Sequence, residues 1–110
     1  MYGRKLVVDT NVLVSAALQS LGLPAQALTV ALTEPNRIYL SREIAVEYEM
    51  VLPRPRFRIY ACTDPDDDKF VECAVAAKAD YIITGNKKDF PDTIANIRVV
   101  TPREFLSLPV

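Results

Sequence analysis

The sequence predicts an α/β domain: three layers, with a central parallel sheet of about four to five strands and helices on both faces. Short β-rich apolar runs alternate with stretches of helical periodicity along the chain. A length of 110 residues is that of a single domain, 1–110, and a hydrophobic fraction of 50% excludes a disordered chain. Such a chain buries roughly 65% of its unfolded surface, enough for a modest core.

Lys5 to Val8 reads as a buried strand; Asp9 falls where it ends, and Asn11 is placed to cap a helix from Val12 to Leu21. Gly22 and Pro24 stop that helix and start the next, Pro24 to Thr33, with Ala27, Leu28, Ala31 and Leu32 at helical spacing. Ile38-Tyr39-Leu40 is the second strand. Ser41 then caps a helix running to about Leu52, which Pro53 and Pro55 terminate. Ile59-Tyr60-Ala61-Cys62 reads as a further short strand, and Asp64-Pro65 opens a helix with Phe70, Val71, Ala74 and Val75 on one face. Tyr81 to Thr84 is the next strand, closed by a Gly85-Asn86 turn. Ile97 to Val100 follows, and Thr101-Pro102 starts a last short helix.

Composition narrows the chemistry. Thirteen Lys and Arg against fourteen Asp and Glu leave a net charge of −1, so any polyanion must be gripped by a local basic patch. The absence of His excludes a Ser-His-Asp triad and a His-ligated zinc. Cys62 and Cys73 lie in apolar surroundings and read as small buried hydrophobes of a reducing compartment rather than a disulfide or metal knuckle. No signal-peptide pattern and no membrane-spanning apolar run are seen, so a soluble cytoplasmic protein without membrane association is expected.

Four acidic or oxygen-rich places stand out. Asp9 sits just beyond a strand's C-terminal end, where open parallel sheets bind ligands; the simpler reading is an Asx turn. Glu47 borders the apolar arc Ile44, Tyr48, Val51 and Leu52, and reads either as a cleft residue or as the rim of a solvated face. In Asp64-Pro65-Asp66-Asp67-Asp68, a helix start explains one or two acids, while three consecutive ones exceed it. Thr84-Gly85-Asn86 with Asp89 places hard oxygen donors after a strand, or is simply a tight turn. Asp9, the Asp64 cluster and Thr84-Asn86 fall at one edge of the expected sheet. Oxygen-only ligands suit Mg²⁺ or Mn²⁺, and carboxylates holding one or two such ions suit phosphodiester hydrolysis.

Five ordered motifs carry a resemblance. Val7-Val8-Asp9-Thr10-Asn11-Val12-Leu13-Val14-Ser15 is the first, and Glu47-Tyr48 with Val51-Leu52 and Arg54-Pro55-Arg56-Phe57 the second. Asp64-Pro65-Asp66-Asp67-Asp68-Lys69-Phe70, Ala79 to Asn86, and Val100-Thr101-Pro102-Arg103-Glu104-Phe105 complete the set. Together they resemble PIN-domain proteins over nearly the whole chain, most closely the toxin components of toxin–antitoxin systems. The resemblance implies a PIN-like sandwich and a Mg²⁺- or Mn²⁺-dependent ribonuclease. It implies Asp9, Glu47 and Asp67 as catalytic and metal-holding acids, with Asp64 and Asn86 as further ligands. Asn11 would orient Asp9, Thr84 would offer a hydroxyl near the metal or its water, and Asp89 would partly make up for the neutral Asn86, where relatives often carry an acid.

The resemblance also implies dimerisation and a cognate antitoxin. Relatives carry a helical hairpin between the Arg-Pro-Arg-Phe and Asp-Pro-Asp-Asp motifs, where this chain has only Arg58 to Thr63. A chain shortened in this way exposes apolar surface, and a homodimer, with or without exchanged elements, would bury it. The leading expectation is therefore a metal-dependent RNA nuclease whose substrate grip comes from Arg54, Arg56 and Arg58, with Lys87 and Lys88 at the rim, all neutralising RNA phosphates. The alternative is a catalytically silent, shortened PIN-like partner that binds an antitoxin or itself. A phosphatase with Asp9 as nucleophile ranks low, because such sites place a second Asp where Asn11 stands.

Overall fold

A computed structural model describes residues 3–51, 69–91 and 93–109, with the backbone alone at 51 and 89. Its order is β1 (Lys5–Val8), α1 (Thr10–Leu18), α2 (Leu23–Leu32), β2 (Arg37–Ile38), α3 (Arg42–Val51), α4 (Lys69–Ala77), β3 (Tyr81–Ile83), β4 (Thr93–Ile94), β5 (Ile97–Val100) and α5 (Pro102–Leu106). The five strands form one sheet in the order β2-β1-β3-β5-β4, parallel except for β4 against β5. This is the expected α/β class.

Leu6, Val7 and Val8 are all buried although successive strand residues point to opposite faces, so both faces of the sheet are covered. Each such side chain stabilises by about 1.5–3 kcal/mol. Ile82 and Ile83 continue this core on β3, and Val99 and Val100 on β5. Helix α4 packs on β1 and β3; α1 packs on α2 and α3, and α2 on α5. No single helix among the described residues is long and apolar enough to cross a membrane.

Local chemistry explains most boundaries. Ser41 Oγ accepts the Ile44 N–H at 3.1 Å, the expected cap of α3. Thr101 and Glu104 form a full capping box at α5, each side chain accepting the other's backbone N–H.

Several expectations need correction. Helix α1 starts at Thr10 and ends at Leu18, and its cap is Asp9 rather than Asn11: Asp9 Oδ1 accepts the Asn11 N–H at 3.3 Å. Strand β2 is Arg37–Ile38 rather than Ile38 to Leu40: its register pairs Arg37 with Lys5 and Ile38 with Leu6, and Tyr39 adds one N–H to the Leu6 carbonyl at 2.8 Å. The antiparallel strand β4 went unread; its two-residue turn, Ala95-Asn96, has both φ values positive (48° and 70°) but lacks the glycine that usually announces such a hairpin. Cys73 is fully buried as expected but takes part in a disulfide, so the inference from free thiols to a reducing compartment fails for it. Burial is legible from local composition, whereas pairing depends on which segments meet. The strand at Ile59 to Cys62 lies outside the described residues.

Candidate functional site

The site is built where β1 and β3 end side by side. Asp9 N–H bonds the Ile83 carbonyl at 2.9 Å and Thr84 N–H the Val100 carbonyl at 2.9 Å, so the ladder carries both residues to the same C-terminal edge. There Thr84, fully buried, donates its hydroxyl to Asp9 Oδ2 at 2.9 Å. Thr84 Oγ1 in turn accepts the Asn86 N–H at 3.0 Å. Asn11 stands on the other side: its N–H meets Asp9 Oδ1, and its own Oδ1 accepts the Gly85 N–H at 3.1 Å. The Asp9 carboxylate is thus held by the end of β3 and by the first turn of α1. Thr84 acts through Asp9, its hydroxyl proton being committed there.

Glu47 arrives on α3 by way of its neighbour. Tyr48 is fully buried and donates its hydroxyl to the Val8 carbonyl, pinning α3 to the residue just before Asp9. Burial, and then the charges of Asp9 and Glu47, push the Tyr48 hydroxyl far above the ordinary tyrosine value. Both carboxylates therefore act electrostatically on one buried phenol. Thr10 Oγ1 is buried beside them and makes no hydrogen bond of ordinary geometry, yet it is near enough to Glu47 to favour its ionised form.

Partial burial works to raise the Glu47 carboxyl, but the Lys69 ammonium 2.8 Å away and the Thr10 hydroxyl outweigh it, leaving the group below its ordinary value of 4.5. The stability this contributes is present above 4.5 and is lost as pH falls through the lowered value. In Lys69→Met, burial is opposed only by Thr10. The Glu47 midpoint, followed by carboxyl ¹³C NMR, is expected to move upward; an unchanged midpoint would remove Lys69 from this account.

Of the residues named from sequence, Asp9, Asn11, Glu47, Thr84 and Asn86 meet here. Asp64, Asp67, Arg54, Arg56 and Arg58 lie outside the described residues, as does the side chain of Asp89. Lys87 lies on a short 3₁₀ turn, Lys87–Asp89, and pairs at 3.2 Å with Glu104, the capping residue of α5. Among the described residues, no three acidic or cysteine side chains gather closely enough to hold a metal ion. Thr10, Tyr48 and Lys69 were not singled out from sequence. From sequence, Tyr48 reads as a member of an apolar arc, and Lys69 only as part of the Asp64 to Phe70 motif.

The sequence model of the PIN-domain family matches this chain in two segments, residues 5–61 and 57–88. An uncharacterized protein of Methanocaldococcus jannaschii is 28% identical over 139 residues, covering 93% of this chain and 89% of that protein. No solved structure gives a significant match.

Proposed function

Because the chain belongs to the PIN-domain family, whose members are generally nucleases that use divalent metals, we propose that it is a Mg²⁺- or Mn²⁺-dependent endoribonuclease. In the fuller reading it is the toxin of a cytoplasmic toxin–antitoxin pair. The observation that carries this is Asp9, a half-buried carboxylate held by Thr84 and Asn11 at the edge where parallel sheets bind ligands, with Glu47 acting electrostatically on the same phenol.

The residues present fit a hard divalent cation: the donors are all oxygens, and the buried Thr10 hydroxyl is left without a well-formed bond. Asp9 and Glu47 would hold it, with Asp67, Asp64 and Asn86 as the remaining ligands implied by resemblance. Such an ion, when bound, lowers the pKa of water and offsets charge on the leaving oxygen. The chain's own part is orientation. Thr84 and Asn11 hold Asp9 fixed, and Lys69 offsets the charge of Glu47 so that two carboxylates tolerate one neighbourhood. Arg54, Arg56, Arg58 and Lys87 would bind RNA phosphates; the exposed Lys87–Glu104 pair is weak enough to exchange for one.

The shortened-chain reading has support. The two family segments overlap at residues 57–61, beginning at the Phe of Arg-Pro-Arg-Phe. The 139-residue alignment also exceeds this 110-residue chain by 29, so the relative has residues without counterpart here. Exposed Leu18, Leu21 and Met50 add apolar surface that a homodimer or an antitoxin would cover.

Incubation of the purified chain with single-stranded RNA is expected to give cleavage that needs Mn²⁺ or Mg²⁺ and stops with EDTA. Capture of a cognate antitoxin with no cleavage under either metal would replace the nuclease with the silent partner. Thr84→Val tests the positioning role. The kcat is expected to fall about 10–100-fold with KM nearly unchanged, the range seen when groups that orient ligands are lost, and Thr84→Ser should restore it.

A further inference from the structure

The opposite, N-terminal edge of the sheet carries a second constellation. A cavity of about 420 Å³ opens there between Gly3, Arg4, Asp80, Tyr81, Asn96 and Arg98. Tyr81 on β3 and Arg98 on β5 are Cα partners of neighbouring strands, so their side chains leave the same face. Leu6 pairs with Tyr81, and Arg4, two residues before Leu6, shares that parity. The guanidinium carbons of Arg4 and Arg98 accordingly lie 5.6 Å and 6.0 Å from the centre of the Tyr81 ring. Arg4 also donates to the Pro109 carbonyl, which ties it to the C-terminal segment. Among the described residues, the carboxylate lining the cavity is Asp80, which accepts the Lys5 N–H at 2.8 Å.

We propose that this cavity binds a nucleotide through its phosphate. Among the described residues two guanidinium groups and one carboxylate, which already accepts a backbone N–H, line the cavity, so the local charge favours an anion. Contact with an aromatic face limits the guanidinium's freedom and leaves its N–H edge for the paired hydrogen bonds that phosphate takes. The volume exceeds what a bare phosphate needs and lies within the range of small-molecule sites. Asn96 lines the cavity and carries an amide able both to donate and to accept, the chemistry of a base edge. Strand β1 alone separates this end from Asp9 by roughly 13 Å, so the phosphate bound here is not the one cleaved there. The site stands independently of nuclease activity.

The same phosphate has two sources, a free mononucleotide or the 5′ end of an RNA strand. Calorimetric titration of inorganic phosphate, adenosine monophosphate and a 5′-phosphorylated single-stranded RNA into the full chain and its Asp9→Asn variant separates them. Adenosine monophosphate is expected to bind both proteins equally, more tightly than inorganic phosphate, and at least tenfold more weakly to Arg98→Gln. RNA affinity that falls in parallel in Arg98→Gln identifies the strand end as the source; RNA affinity unchanged there identifies the free nucleotide. Arg98→Lys keeps the charge and loses the planar fork, and it should also weaken binding if Arg98→Gln proves unstable. Inorganic phosphate binding as tightly as the nucleotide, no binding of any probe at millimolar concentration, or binding indifferent to Arg98 would overturn the proposal. Binding without RNA cleavage would leave it standing and count against the nuclease alone.

Discussion

Asp9→Asn is expected to lower kcat/KM for metal-dependent RNA cleavage by about 10³-fold or more while leaving the fold intact. The substitution removes one negative charge from the donor set and changes little else in shape. Its remaining amide oxygen can still accept the Asn11 N–H, and Thr84 Oγ1, with two lone pairs, can accept from the new amide nitrogen as well as from Asn86. A hard cation binds a neutral amide far less well than a carboxylate. Several kcal/mol of transition-state charge stabilisation are then lost, and about 4 kcal/mol corresponds to roughly 10³-fold in rate. Cleavage kinetics with Mn²⁺ and a parallel thermal melt make the measurement. A variant that melts normally and still cuts RNA at the parent rate would take Asp9 out of the active centre.

The second large effect concerns stability. Tyr48→Ala is expected to destabilise by about 3–5 kcal/mol, the usual cost of emptying a buried aromatic site. Tyr48→Phe, which keeps the ring, should cost about 1–3 kcal/mol, since the buried Val8 carbonyl loses the donated hydroxyl. The two variants separate packing from hydrogen bonding in urea titrations. The pH dependence adds a second readout. Burial keeps the folded Tyr48 protonated above 10.0, where the unfolded chain releases that proton, so stability declines as pH rises beyond 10.0. Tyr48→Phe should lack that alkaline slope. Equal melting of parent and Tyr48→Ala would mean that α3 is not anchored to β1 through this ring, and Glu47 would then lose its reason for standing near Asp9.

The same residue shows where reading by sequence stops. Tyr48 was legible as a member of an apolar arc, and its burial follows from that pattern. Nothing local reveals that its hydroxyl reaches a carbonyl 40 residues away. Lys69 is similar: it follows an acidic run in sequence but pairs with Glu47 on another helix. Lys87 reads from sequence as a cation for RNA, whereas the structure pairs it with Glu104 on α5, with β4 and β5 between them in the chain.

What the sequence determined alone is the alternation of strand and helix, the buried character of Leu6 to Val8, of Ile82 and Ile83 and of Ile97, Val99 and Val100, and the caps at Ser41 and Thr101. These follow from side-chain periodicity, proline and short polar side chains acting within a few residues. Tertiary structure alone decided that β1 lies beside β3, so that the Thr84 hydroxyl falls on Asp9 across 75 positions, and that Arg4 and Arg98 each come to the Tyr81 ring. Strand order and register set those encounters. They arise from burying the whole sheet at once, which no short window of sequence encodes.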